Sequence, residues 1–512
     1  MPNDPVGYVV EGSTVPVAIA PVPTSIAAFI GRASRGPCDR PIAIRDVGEF
    51  EREFGGLWAA SPLSNAVQHF FQNGGREALV VRVHHAAAAA TLTLPCGLAL
   101  RAASEGAWGA QLRVRVDHDT RPLEPGEPAD SLFQVTIKDA GTGVVEVFAD
   151  VSTDPGHPRF ITHVLNAQSR LVRVTGEVPA VRPPASDAPS PGGDPLDAAC
   201  TTPFGADGDD GLAITDAQIA DPALASGGRG LWALDGADLV NLICVPPLAP
   251  GVDVSRATWD TAVAYARRRR AMVIVDAPAS WTIAANAHDG VDGVVTRDAN
   301  AALYFPRVLM ADPLDATRVA AVAPCGAIAG IMARTDSARG VWKAPAGSDA
   351  TLVGATGLSL PITDAENSQL NPLAVNCLRV FNGHGVVWGS RTLMGADALA
   401  SEWKYVPVRR LALFIEESVA RGTRWATFEP NEASLWTRVR QSAEMFLHGL
   451  FTQGALAGRT PREAYVVRCG LDTMTQDDID NGRLVCEIGI APLKPAEFVI
   501  IRIQHTVQAT QA

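Results

Sequence analysis

The chain has 512 residues, 47% of them hydrophobic and 19% charged, and a formal net charge of −12. This is a globular composition, long enough for roughly two to four domains and for a core that needs no staples. The acidic balance makes the whole chain a poor nucleic-acid binder and leaves only a local basic face open. The eight cysteines, at 38, 96, 200, 244, 325, 377, 469 and 486, show no CxxC or Cys/His spacing. They read as small apolar fillers in a reducing compartment, neither a disulfide framework nor a zinc site. No basic residue precedes Arg32, and prolines 16, 21 and 23 break the early apolar stretch, so no signal peptide is expected. No run of 18 apolar residues occurs, so no membrane span is expected.

Residues 1–24, rich in Pro, Val and Gly, suit an extended arm. "FIGRASRGP" reads as strand and turn. "SPLSNAVQHFFQNGG" reads as a helix with Ser61 as N-cap, Pro62 at the first position and Gly74 as the stop. "EALVVRVHH" alternates like a strand. From 86 to about 178 short strands follow one another, with "DAGTG" as a hairpin turn between two of them. This reads as an inserted all-β unit, closed by the Pro/Ser/Gly/Asp-rich segment 178–195. An α/β rhythm then resumes: "LVNLICVPP" and "AMVIVDAP" as buried strands, "SRATWDTAVAYARRRR" as a helix capped by Ser255. In the last part "VPVRRLALFIEESVARG" and "SLWTRVRQSAEMFLHGLF" read as helices. "TRWATFEP", "EAYVVRC", "RLVCEIGIAP" and "EFVIIRI" read as strands.

Catalytic and ligand signals are weak. "DGDDG" (207–211) resembles the start of a calcium loop, but its twelfth position is Gln218 rather than a bidentate Glu, which favours a solvated turn. His84 and His85 lack neighbouring ligands at a metal-binding spacing, and His384 stands alone in a glycine turn. No GxxxxGK[ST] loop supports a nucleotide site. The run Arg267–Arg270 reads as a solvated helix end favoured by the helix dipole. Asp276 follows a buried strand, where a catalytic acid could sit. No nucleophile turn follows anywhere, so it reads as a strand-end cap or hydrogen-bonding residue. No catalytic, metal or cofactor-binding residue is assigned.

Seven stretches taken in order, at 22–37, 54–83, 340–347, 370–393, 405–431, 435–450 and 474–503, resemble the contractile tail sheath family of phages, R-type pyocins and extracellular injection systems. The segments "GVWKAPAG", "LNPLAVNCLRVFNGHGVVWGSRTL" and "MTQDDIDNGRLVCEIGIAPLKPAEFVIIRI" carry much of the likeness. The resemblance implies an α/β and α+β multidomain chain. Its parts would be an arm (1–24), an α/β segment (25–85), an inserted all-β outer domain (86–200), a subtilisin-like α/β domain without a protease site (201–370), a tube-facing α+β domain (371–496) and a strand arm (497–512).

It further implies a structural subunit, not an enzyme, that stacks as hexameric rings around an inner tube and contracts without ATP. The partners would be other copies, the inner tube, and the baseplate and cap proteins, with no nucleic acid, membrane insertion or cofactor. Such a particle is assembled in the bacterial cytoplasm and can be released. The implied strand-exchange residues are Tyr8, Val9, Val10 and Glu11, and Phe498, Val499, Ile500, Ile501, Arg502 and Ile503. The implied tube contacts are Lys404, Arg409, Arg410, Arg438 and Arg440. A degenerate or active serine hydrolase, and a static tube or shell protein, stand as the alternatives.

Overall fold

Val/Ile-rich runs without polar alternation suit strands covered on both faces, and such runs build the centre of this molecule. The structure, a computed structural model, describes residues 16–497 apart from 125, 126, 129 and 313. Its main sheet has eight strands in the spatial order His384–Val387, Val375–Phe381, Ala301–Phe305, Met272–Asp276, Leu242–Cys244, Ala27–Gly31, Ala78–Arg82 and Ile42–Ile44. The inner six are parallel, and the two edge strands are antiparallel to their neighbours. Strand residues alternate between two cores. Ala28, Ile30, Val273 and Leu303 meet the helices Arg256–Arg269 and Ala284–Val294 on one face. Ala27, Phe29, Ile274 and Tyr304 meet Pro62–Gln72 and Cys325–Arg339 on the other.

The last two helices approach unusually closely. A Cβ on Gly326 would stand 2.0 Å from the Ala66 carbonyl oxygen, and one on Gly330 would stand 2.4 Å from that of Phe70. Ser61 and Ser255 cap their helices as expected, through Leu63 N and Thr258 N. The sheet also draws in the strands at 375–387, which fall within the expected C-terminal unit at 371–496. A three-stranded antiparallel sheet of Val308–Asp312, Asp315–Val322 and Ala355–Leu358 was not anticipated.

The insert has its own core, with Leu112, Val114, Phe133, Ile137 and Leu165 among its buried residues. Its two sheets are Thr202–Pro203, Leu112–Asp117, Leu132–Asp139, Val145–Ser152 and Thr91–Thr93, Ala99–Ala102, Val172–Thr175. It is not all-β: Ile161–Gln168 is a helix, burying Ile161, Val164 and Leu165 at i, i+3 and i+4. That helix is short, and Phe160 at its start offers no capping bond, so no start signal marks it. The insert also closes later than residue 200, through bridges pairing His85 with Leu212 and Ala88 with Asp209.

In the C-terminal part the helices Val406–Gly422 and Ala433–Thr452 pack Leu411, Phe414 and Ile415 against Ala443, Phe446 and Leu450. "TRWATFEP" is not a strand. It forms a turn, Arg424–Ala426, joining the two helices, and Trp425 and Ala426 fold onto Leu435 and Val439. The tertiary demand of that helical hairpin overrides the β-prone residues. Tyr465–Cys469 and Cys486–Ile490 form an antiparallel hairpin.

Candidate assembly interface

Both nominated strand-exchange segments, Tyr8–Glu11 and Phe498–Ile503, lie outside the described residues. Their roots do not. Residues 16–24 form part of the predicted arm, yet they are docked on the chain's own C-terminal helices. Val17 N donates to Ser442 Oγ (3.0 Å), Val22 N donates to Ser418 Oγ (3.2 Å), and Ile19 is buried in the helical core. At the other end Glu497 sits between Arg391 and Tyr405.

Among the described residues the C-terminal hairpin has no third strand. Beside Cys486–Ile490 runs a groove of about 1120 Å³ lined by Ile415, Val419, Leu484, Ile488 and Ile490. At its mouth Phe428 is fully exposed, 101% of its reference area, in a backbone conformation of φ +73°. A bulky residue at positive φ is strained, and an aromatic ring wholly in water forgoes its main stabilising contribution.

The five basic residues separate. Arg410 is only 4% exposed, so it is not a surface group. Its guanidinium donates to Asp336 at 2.9 and 2.6 Å and to the Thr24 carbonyl oxygen at 2.9 Å. Lys404 pairs with Asp397 at 2.6 Å, and Arg409 donates to Asn300 and Glu416 at 3.1 and 3.2 Å. Arg438 lies over the Trp425 ring at 4.5 Å, its Nε without a partner among the described residues. Arg440, like Arg438, is half-buried. The run 267–270 is taken up in pairs rather than left as an open patch: Arg267 with Asp298, Arg268 and Arg269 with Asp235, Arg270 with Glu417.

Other groups with chemical potential are closed in. Asp276 Oδ1 accepts from Cys325 N at 2.9 Å, capping the helix Cys325–Arg339, as a hydrogen-bonding role predicted. Burial pushes its carboxyl up to about 6. The Cys325 thiol beside it is fully buried, and its contact with Cys244, reinforced by burial, holds its pKa well above the ordinary value. His84 does gain neighbours that its sequence surroundings did not reveal, because the fold brings Cys38 and Glu105 to it. However, Arg82 Nη1 already donates to Cys38 Sγ (2.9 Å) and Glu105 Oε2 (3.4 Å), and burial pushes the thiol up to about 12. A fixed cation and a protonated thiol make this a poor metal site. "DGDDG" stitches the neck of the insert. Asp207 accepts from Thr91 N (3.0 Å), Asp210 accepts from Ala107 N (2.9 Å), and Arg32 donates to the Asp210 carbonyl oxygen (2.8 Å).

Family models for the phage tail sheath protein central domain and the phage tail sheath C-terminal domain match residues 232–393 and 400–506, together more than half of the chain. The chain belongs to the phage tail sheath family. A prophage major tail sheath protein of Pseudomonas aeruginosa (strain UCBPP-PA14) is 27% identical over 308 residues, 58% of this chain and 74% of that one. The fold matches the sheath of an extracellular contractile injection system, PVC, in its contracted state, with TM-score 0.59, 21% identity and 99% of each chain covered. It also matches the contracted helical sheath of the anti-feeding prophage, with TM-score 0.55, 22% identity and 98% and 99% of the two chains covered. As a tail sheath subunit the protein is a structural component of a phage tail or tail-like particle. No helix among its described residues is long and apolar enough to cross a membrane.

Proposed function

We propose that this subunit polymerises as stacked hexameric rings around an inner tube, and that the assembly contracts to drive the tube through a target envelope without a nucleotide. The observation that carries this reading is the unfinished hairpin. A two-stranded sheet is marginal by itself, and this one borders an apolar groove suited to a further strand. The chain's own ends supply β-patterned segments, 8–11 and 498–503, that can pair in neighbouring copies. Such strand addition is directional and survives rotation of the bodies it joins. If each subunit releases only ~2 kcal/mol on repacking, a sheath of roughly a hundred subunits releases on the order of 200 kcal/mol. Phe428, exposed and strained, fits a contact completed by another copy.

In this reading the central body is a subtilisin-like scaffold whose strand-end acid has become a structural cap, and the insert is the outer domain. Arg438 and Arg440 are the basic residues best suited to a weak tube contact, with Lys404 and Arg409 secondary. The baseplate is a further partner, since the anti-feeding prophage baseplate structure holds a chain of this fold, with TM-score 0.57 and 21% identity. Assembly in the bacterial cytoplasm, with release of the particle, completes the proposal.

Truncation after Glu497 tests it. The shortened chain is expected to melt like the full one yet to form no cylinders in electron micrographs. The full chain is expected to give cylinders in a long, narrow form and a short, wide one. Aggregation of the truncated chain, or its continued polymerisation, would sink the strand-exchange reading. A single invariant diameter would point to a static tube.

A further inference from the structure

Glu497 closes the described chain and is held more firmly than its position suggests. Its carboxylate accepts from Arg391 Nε at 2.7 Å and from Arg391 Nη2 at 2.6 Å, and the Tyr405 hydroxyl lies at 3.3 Å. Lys404 Nζ stands 3.9 Å away. Two parallel charge-assisted bonds of this kind combine strength with fixed orientation. Arg391 is 1% exposed, and its Nη1 donates to the Gly395 carbonyl oxygen (3.1 Å) and to Asp397 (2.9 Å).

The anchor continues inward. Arg391 N donates to Asn376 Oδ1 at 2.7 Å, and Asn376 Nδ2 donates to the carbonyl oxygens of Arg391 (2.8 Å) and Leu303 (3.0 Å). Asn376 is fully buried in the strand Val375–Phe381, beside Ala301–Phe305. Residue 497 is therefore wired to the second and third strands of the eight-stranded sheet. The strand that precedes it, Cys486–Ile490, belongs to the separate two-stranded hairpin.

We propose that the Glu497–Arg391 pair anchors the root of the link between subunits, so that tension on residues beyond 497 passes into the central sheet and not into the hairpin. This rests on the reading that those residues join a neighbouring copy. The physical need is clear from the topology. Without an anchor at 497, a pull would straighten 493–497, break the bonds that tie Ala491 to Ala464 and Ala457, and then peel Cys486–Ile490 from Tyr465–Cys469 one pair at a time, starting at Ile490 opposite Tyr465. Peeling breaks hydrogen bonds singly, whereas the bidentate pair must give way as a unit. The intervening segment is short and contains Pro492 and Pro495, whose fixed φ angles leave little slack. The anchor thus protects the hairpin that receives strands from other copies.

The test uses full-length Glu497→Gln, which keeps the shape and one acceptor but removes the charge. Limited proteolysis of the purified protein by a broad-specificity protease is expected to clip within 493–497 about tenfold faster or more, while the amides of Val467 and Ile488 stay protected from hydrogen exchange. Cylinders of the variant are expected to form and then to break into shorter stacks than the wild type after identical shear, measured by electron microscopy. Unchanged clipping within 493–497 would overturn the anchor. So would faster clipping with cylinders as resistant as the wild type. Should wild-type protein form no cylinders, the sheath reading fails by itself, and the load-path proposal built on it falls too.

Discussion

At the scale of single residues the fold is full of charges turned inward to structural use, and Asp276 is the most informative. Its carboxyl titrates near 6 because burial disfavours the anion, whereas an unfolded chain returns it to an ordinary value of about 4. The folded state therefore binds this proton more tightly. The stability it contributes is fully present below about pH 4, is lost as pH rises toward about 6, and changes no further above that. Asp276→Asn keeps an acceptor for Cys325 N and removes the titration. Urea unfolding should show the variant more stable than the parent by ~1–3 kcal/mol at pH 7, with the gap shrinking toward pH 4. A gap that stays constant with pH would mean that Asp276 ionises as an exposed carboxyl does. Arg410 teaches the same lesson from the opposite sign: its basic sequence surroundings suggest a surface cation, and the structure closes it around Asp336 and Thr24.

At the scale of elements, the connection between the two C-terminal helices deserves a test of its own. Phe428 stands at positive φ with its ring in solvent, a combination that costs stability and gains nothing among the described residues. Glycine adopts that conformation freely but loses more chain entropy on folding. The two effects oppose, so Phe428→Gly should shift protomer stability by less than about 1 kcal/mol in urea unfolding. Polymer yield, measured by sedimentation, should fall severalfold. If polymer yield is unchanged, the ring has no part in assembly.

At the scale of the whole molecule, the insert hangs from a neck that is itself knotted to the central body. Arg35 reaches Asp139 across it at 3.1 Å, and Arg82 donates to the Glu105 carbonyl oxygen at 2.8 Å. Such ties make the insert a rigid outrigger rather than a loosely tethered module. The proposed tube contact belongs to this scale as well. Arg438→Glu combined with Arg440→Glu should weaken co-assembly with the inner tube in a pull-down while moving the melting temperature by only a few degrees. Equal retention of the tube by variant and parent would remove both residues from that surface.

The local signals in the sequence determined a good deal. Ser61 with Pro62, and Ser255 ahead of its helix, announced two helix starts because capping is a property of neighbours in sequence. The unbroken Val/Ile runs announced the buried parallel strands for a similar reason, and "DAGTG" announced its hairpin. The seven ordered stretches carried the family likeness. What the sequence did not determine was whatever depends on residues far apart in the chain. The meeting of Cys38, His84 and Glu105 around Arg82 is one case, and the burial of Arg410 another. The uncapped helix at 161–168 and the turn at 424–426 were decided by the cores they serve, against weak or contrary local preference. Glu497 is the sharpest instance. By sequence it is the first residue of a terminal strand arm, and only the placing of Arg391 beneath it makes it a fixed point. An ion pair across 106 residues leaves no periodic or spacing signal and exists only once the sheet has brought its two ends together.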